Sequence, residues 1–413
     1  MPIQLVHVSD IHFGSGEGHG KINPLTGLNI RFEDFVSALK RVVDYAIDNQ
    51  VDVFLFSGDA YRNASPEPIY QKMFARELKR LSEAGISTIL VVGNHDQILR
   101  STQSHSLSVF QSLAVPGVIT VDQPTFETIK TKNGDFQFLG LPHVTRNNLT
   151  ALEKYAGFTS AQLDDVLVRH VSDLFHGFYA KLDPTIPTVV SAHMSLDRAL
   201  AGIEEELLVG YTLTFPADIF IDERVDYVAM GHIHKYQIIR PKNPAIVYSG
   251  SLERVDFGEA NEDKGFIHVT LERNNTNYTF HSINPRPFIT VDADLSDLGP
   301  EDDATEILGR KVSKSLVPGC VLRIRYRIKQ DKVGEVNERK ILQLAQEALS
   351  VRLQPELIPD KSKARLPQLT EQSATSPLAA LELYLSETCC EDKERLLSRA
   401  KEIMNELDSS EII

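Results

Sequence analysis

A disulfide-forming cysteine pattern, membrane-spanning runs and an export-leader pattern are all missing from this sequence. Its only cysteines are Cys320, Cys389 and Cys390. Three thiols cannot build a disulfide framework, and the adjacent pair is poorly placed to bridge itself. No apolar run approaches the roughly 20 residues needed to span a bilayer, so no membrane association is expected. Met1-Pro2-Ile3-Gln4 leads straight into an apolar strand, with no basic segment ahead of a hydrophobic one. That start predicts no signal peptide, and a reducing cytoplasm is the expected compartment.

What is present suits a large globular chain. The 413 residues predict two or three domains, and 42% hydrophobic with 24% charged residues is enough to bury a sizeable core. The formal net charge of −14 counts against a chain that binds nucleic acid unaided. A DNA substrate would need a local basic surface or a partner.

Five short segments carry metal-binding side chains: Asp10-Ile11-His12, Gly58-Asp59, Gly93-Asn94-His95-Asp96, His193 and Gly231-His232-Ile233-His234. Four follow directly on apolar, β-branched runs (5–8, 51–56, 86–92 and 188–190), and the run 225–230 leads into the fifth. A buried strand that ends in a polar ligand is how open α/β sheets place their sites. Asp10 and His12 are two apart and face one side of a strand end, as do His232 and His234. Asp59 is the candidate to bridge two ions, and Asn94 offers a neutral amide oxygen. Carboxylate, imidazole and amide donors without thiolate favour Mn²⁺, Fe or Zn²⁺. Two such ions can clamp the oxygens of an in-line displacement at phosphorus. His95 is the candidate to protonate the leaving oxygen, with Asp96 available to orient it. By contrast, Gly14, Gly16, Gly18, Gly20 and Lys21 do not make a phosphate-binding loop: Ser15 stands where its first glycine belongs and Ile22 where a Ser or Thr is required.

Taken in order, these segments resemble the signature of the calcineurin-like metallophosphoesterases, and more closely that of the Mre11/SbcD nuclease branch. Supporting the closer resemblance are Asn23-Pro24-Leu25-Thr26-Gly27-Leu28-Asn29, Tyr248-Ser249-Gly250-Ser251-Leu252-Glu253-Arg254 and Phe257-Gly258-Glu259. The resemblance implies Asp10, His12, Asp59 and His234 around one metal, Asp59, Asn94, His193 and His232 around the other, and His95 as a catalytic residue. It implies two divalent ions, Mn²⁺ with Mg²⁺ as the alternative. It also implies an exonuclease or endonuclease of the 3′–5′ type, acting in DNA end processing and repair as a homodimer with an SbcC/Rad50-like ATPase. Some relatives carry a histidine three residues after the bridging Asp, implicated in exonuclease action; here that position is Arg62.

The expected architecture is a four-layer αββα sandwich of two mixed sheets over residues 1–284. Strands near 245–249, 266–271 and 278–283 are expected to be antiparallel and to complete the second sheet. Pro285-Arg286-Pro287 marks the first boundary. Residues 285–354 then read as a small α+β capping domain with a helix over 302–316, a strand over 321–328 and a helix over 335–353. A linker over 355–377 follows, and helices over 378–408 are expected to dock on the ATPase partner. Arg323, Arg325, Arg327 and Lys329 alternate on one strand face and, with Arg62 and Arg254, are the candidate DNA contacts. The helices near Phe74 and Leu107 to Leu113 are candidates for the dimer surface. Two other functions fit the same residues: a metallophosphodiesterase or phosphatase for a small molecule or phosphoprotein, and a non-catalytic scaffold of the ATPase.

Overall fold

The structure is a computed structural model that describes residues 1–14, 18–97, 104–150, 153–155, 157–200, 213–299, 301–359, 377–387 and 392–410. In chain order its strands begin β1 (Ile3–Val8), β2 (Val53–Phe56), β3 (Ser87–Val91), β4 (Val118–Val121), β5 (Thr125–Thr131), β6 (Gly134–Leu141) and β7 (Thr188–His193). A short parallel pair, β8 (Ser195–Leu196) and β9 (Thr214–Phe215), follows. Then come β10 (Tyr227–Gly231), β11 (Gln237–Pro241), β12 (Ala245–Tyr248), β13 (Gly265–Leu271), β14 (Asn277–Ser282), β15 (Phe288–Asp294), β16 (Val321–Lys329) and β17 (Ser350–Ile358).

Two mixed six-stranded sheets form the first compact unit, in the orders β14-β13-β1-β2-β3-β4 and β11-β12-β10-β7-β6-β5. The apolar runs alternate sides with period two, and both sides are buried. Leu5, Val53, Leu55, Ile89 and Val91 of the first sheet meet Phe136, Phe138, Val189 and Tyr227 of the second. Val6, Val8, Phe54, Phe56 and Leu90 face outward instead, against helices Ile30–Asp48 and Pro68–Glu83. Those helices form where apolar residues recur at helical spacing. Asn29 caps the first by accepting from the Arg31 amide, and Pro68 sits in the first turn of the second. Helix Ser160–Tyr179, started by a Thr159–Gln162 capping box, covers the other sheet with Val171, Phe175 and Phe178. The architecture is the αββα sandwich the sequence predicts.

Its sheet assignment needs one correction. Only β12 joins the second sheet, and it runs parallel to β10. β13 and β14 join the first sheet, with β13 antiparallel to β1. A strand as buried as β13 needs a neighbour on each side and layers on both faces, and the free edge of β1 supplies that place.

The first unit comprises residues 1–290, 316–323 and 346–351; the second comprises 291–315, 324–345 and 352–413. In the second, helix Ala304–Ser315 packs on helix Glu338–Leu344, where Gly309 leaves room for Leu344 and where Leu308, Val312 and Ile341 are buried. Strands β15-β16-β17 make a three-stranded sheet in that order. The helix expected over 335–353 stops at Leu344, and residues 350–358 form β17 instead. Pro355, read from sequence as the start of a linker, is tolerated there because β17 is an edge strand. Most of the expected linker, residues 360–376, lies outside the described residues, as do Cys389, Cys390 and the loop residues 15–17; Cys320 is buried. The terminal helices are Pro377–Glu387 and Lys393–Ser410, joined by a Lys393 Nζ to Ser386 Oγ bond of 2.8 Å. Among the described residues, no helix is long and apolar enough to cross a membrane.

Candidate metal centre and active site

The five donor segments meet because β1, β2 and β3 are parallel in one sheet and β7 and β10 are parallel in the other. Their carboxyl ends therefore open on one edge of the sandwich. The loops there interlock: the Asp10 amide donates to Gly58 O at 2.9 Å and the His12 amide to Asp59 O at 3.1 Å. Four donor residues hold left-handed backbone, with φ of 53° at Asp10, 51° at His12, 62° at Asp59 and 96° at His232. That region is sparsely used outside glycine and clusters at functional sites. Two glycines are required by the crowding. A Cβ on Gly58 (φ 101°) would lie 2.2 Å from His193 Nδ1, and one on Gly231 would lie 2.0 Å from Ser57 O.

All seven predicted donors come together. His12 Nε2 lies 2.9 Å from His234 Nε2, 3.8 Å from Asp10 Oδ1 and 3.7 Å from Asp59 Oδ2. On the other side, Asn94 Oδ1 is 2.9 Å from both His193 Nε2 and His232 Nδ1, and His193 Nε2 is 3.2 Å from Asp59 Oδ2. The outer ring atoms fix which nitrogen offers a lone pair. His193 Nδ1 donates to Ser57 O at 2.7 Å, and His234 Nδ1 donates to Glu259 Oε1 at 2.7 Å. In their neutral forms both rings must then turn bare Nε2 atoms on other acceptors. Such converging lone pairs repel unless protons or cations sit among them, so the donor set fits two hard or borderline divalent ions. Asp59 takes part in both halves.

The electrostatics follow from the same geometry. Burial raises the Asp10 carboxyl, against the pull of His193 and His234. Burial would raise Asp59 too, but His193, His12 and His95 hold it well below the usual carboxylate range. Burial opposes protonation of His193 and His234. Asp59 and Asp10 overcome it at His193, Glu259 and Asp10 overcome it at His234, and both rings are raised to about 9. His12 and His232, buried among other imidazoles, are lowered well below the ordinary value.

His95 is exposed beside this cluster. Its ring lies 4.8 Å from that of His12, its Nδ1 donates to Arg62 O at 2.9 Å, and its amide donates to Asp59 Oδ1 at 2.9 Å. Asp96 does not orient it. The Asp96 carboxylate turns inward, where Oδ2 accepts the amides of Asp59, Ala60 and Gly93 at 3.0, 3.4 and 3.1 Å. Its Oδ1 accepts Ser106 Oγ at 2.9 Å. Burial and the Asp59 charge raise it to about 6. Asp96 pins two donor loops together, and the carbonyl of Arg62 aims His95.

Three residues at the site have no site role in the sequence reading, although the Phe257-Gly258-Glu259 segment helps carry the resemblance. Glu259 holds His234; its Oε2 accepts the Val255 amide and the fully buried Lys264 Nζ, each at 2.9 Å. Lys264 also donates to His234 O at 2.9 Å. His143, two residues beyond β6, places its ring 5.6 Å from that of His232. The Leu141-Pro142-His143 sequence repeats the pattern of a polar residue after an apolar strand, and that signal could have found it.

Four of the expected DNA contacts, Arg254, Arg323, Arg325 and Arg327, also have partners within the protein. Arg254 donates to the carbonyls of Glu259, Glu262, Pro285 and Arg286 and is a structural clamp. Arg323 stacks over Phe257 at 4.3 Å and donates to Thr290. Arg325 forms a two-pronged pair with Asp292, and Arg327 lies near Asp294 and Glu356. Lys329 is exposed at the end of the same strand. Phe74 is buried in the core, so it cannot itself face a dimer partner, whereas Val109 and Leu113 are exposed.

Known proteins share long stretches of this sequence. The chain is 22% identical to the SbcD component of the SbcCD nuclease of Escherichia coli over 72% of each chain. It is 26% identical to the DNA double-strand break repair protein Mre11 of Archaeoglobus fulgidus, over 75% of this chain and 64% of that protein. It is 23% identical to the uncharacterized metallophosphoesterase YhaO of Bacillus subtilis, over 67% of this chain and 60% of that one. The family described as calcineurin-like phosphoesterase matches residues 3–236. That stretch begins with β1 and ends just past His234, so every donor of the two-sided cluster falls inside it, and the chain belongs to the calcineurin-like phosphoesterases.

Proposed function

We propose that the protein is a metal-dependent DNA nuclease that cleaves phosphodiester bonds at DNA ends, using Mn²⁺ or Mg²⁺, with exonuclease or endonuclease action. The observation that carries the hydrolytic part is the convergence of acceptor atoms from Asp10, His12, Asp59, Asn94, His193, His232 and His234, with His95 tethered beside them. Asp10, His12, Asp59 and His234 would hold one ion and Asp59, Asn94, His193 and His232 the other. Bound there, two divalent ions supply Lewis acidity toward the phosphoryl oxygens and an activated nucleophile at neutral pH. Glu259 and Ser57 fix the donor rings of His234 and His193. His95, its Nδ1–H fixed on a carbonyl, would deliver a proton from Nε2 to the leaving oxygen. The nuclease relatives support DNA as the substrate.

By the same relatives, an SbcC/Rad50-like ATPase is the proposed partner, docking on the terminal helices, where Tyr384, Leu396 and Ile403 are exposed. Residues 285–354 would serve as a capping domain with Arg323, Arg325, Arg327 and Lys329 toward the DNA backbone. A homodimer using the surface around Val109 and Leu113, in the cytoplasm, completes the reading. Cleavage of labelled linear and hairpin DNA with Mn²⁺ or Mg²⁺, comparing wild type with Asp59→Asn, tests it; cleavage by the wild type alone is expected. A second reading, a phosphodiesterase for small substrates, is favoured by the acidic partners of Arg325 and Arg327, which balance the charge of that strand face. Hydrolysis of a small diester with DNA left intact would select it.

A further inference from the structure

His143 is placed like His95 but at the opposite end of the donor cluster. His95 stands beside His12, with ring centroids 4.8 Å apart. His143 stands beside His232 and His193, at 5.6 and 6.0 Å. Both imidazoles are tethered in the same way, through Nδ1 to a backbone carbonyl: Arg62 O at 2.9 Å for His95, and His193 O at 3.2 Å for His143. A carbonyl oxygen only accepts, so Nδ1 of His143 carries the hydrogen. The main chain around His143 is equally fixed: its amide donates to Val92 O at 2.9 Å, and its carbonyl accepts Gln97 Nε2 at 2.8 Å. With that hydrogen on Nδ1, the neutral ring presents Nε2 as its bare acceptor. Among the described residues Nε2 has no bonded side chain, and it does not belong to the buried polar atoms left without partners. It therefore faces accessible space.

We propose that His143 is a catalytic residue that accepts a hydrogen bond from the attacking water on the His193–His232 side of the site, opposite the leaving oxygen served by His95. An in-line displacement has two ends, and a neutral acceptor suits the entering water where a proton donor suits the departing oxygen. The inference rests on the phosphoesterase reading and is independent of whether DNA or a smaller ester is the substrate.

The test uses the metal-loaded full chain on bis(p-nitrophenyl) phosphate and on DNA. His143→Phe should lower kcat about a hundredfold with KM and bound metal unchanged, and His143→Gln, which restores an acceptor, should recover part of the loss. An unchanged kcat, a change confined to KM, or lost metal in His143→Phe would overturn the assignment. A second readout needs no turnover: nitrogen NMR of the histidine rings should find His143 with hydrogen on Nδ1 alone near neutral pH. Hydrogen on Nε2 would refute the proposal, even if a wild type that hydrolyses neither ester had already refuted the phosphoesterase reading.

Discussion

Glu259 Oε1 accepts the Nδ1–H of His234 at 2.7 Å, while its other oxygen is bound to Lys264, a lysine with no exposed surface. The carboxylate thus fixes the ring and raises its basicity, and the lysine offsets the charge that the carboxylate brings inside. Glu259→Gln keeps the shape and removes the charge. It should weaken metal binding about 10–100-fold, read by calorimetric titration with Mn²⁺. Unaltered affinity would show that the charge contributes nothing.

His95 and Asp96 are neighbours with separable roles. His95→Ala should abolish most turnover, a loss on the order of a hundredfold or more, with metal content and thermal stability near wild type. Loss of metal in this variant would make His95 a ligand rather than a proton donor.

Asp96→Ala should instead act on stability. It strands the buried amides of Asp59, Ala60 and Gly93, and an unsatisfied buried donor costs about 1–3 kcal/mol. Denaturant unfolding should show a loss of that order, accompanied by weaker metal binding because two donor loops come apart. A variant with full stability and only a lower kcat would return Asp96 to the role of orienting His95.

Protons and metal ions compete for the same nitrogens. His193 and His234, each raised to about 9, are protonated at neutral pH without metal and must release those protons to bind it. Apparent metal affinity should therefore rise with pH and level off above about 9. The raised values stabilise the metal-free fold fully below the unfolded value of 6.5, and this contribution is lost as pH rises through 9. Melting in chelator should fall across that window, and added Mn²⁺ should remove the fall. A metal affinity independent of pH would contradict the protonated rings.

The convergence of the candidate donors was legible because each lies at the end of a strand whose apolar alternation is local, and because parallel strands bring their ends to one edge. Phe54 and Leu55 already announce a strand buried on both faces, and Asp59 announces its end. Glu259 and Lys264 were not legible, because what they touch depends on where the chain returns after β12, and no local periodicity encodes that. β13 went to the wrong sheet for the same reason: its pattern demands two neighbours without naming them. Asp96 misled because sequence adjacency suggests contact with His95, whereas residues adjacent in an irregular loop point to different sides. The arginines of β16 alternate as read, but the carboxylates opposite Arg325 and Arg327 come from β15 and β17, beyond the reach of a strand's own pattern.

Phe257 opens the short turn that ends at Glu259. Three groups far apart in sequence grip its ring: His19 at 5.3 Å, Phe288 at 4.9 Å and the Arg323 guanidinium at 4.3 Å. A chain cut after Asn284 would keep every donor side chain and lose two of those three grips, together with two of the four carbonyls that hold Arg254, those of Pro285 and Arg286. The smallest autonomous catalytic fragment is therefore longer than the segment that carries the donors, and the proline-flanked boundary at Arg286 is a poor place to truncate.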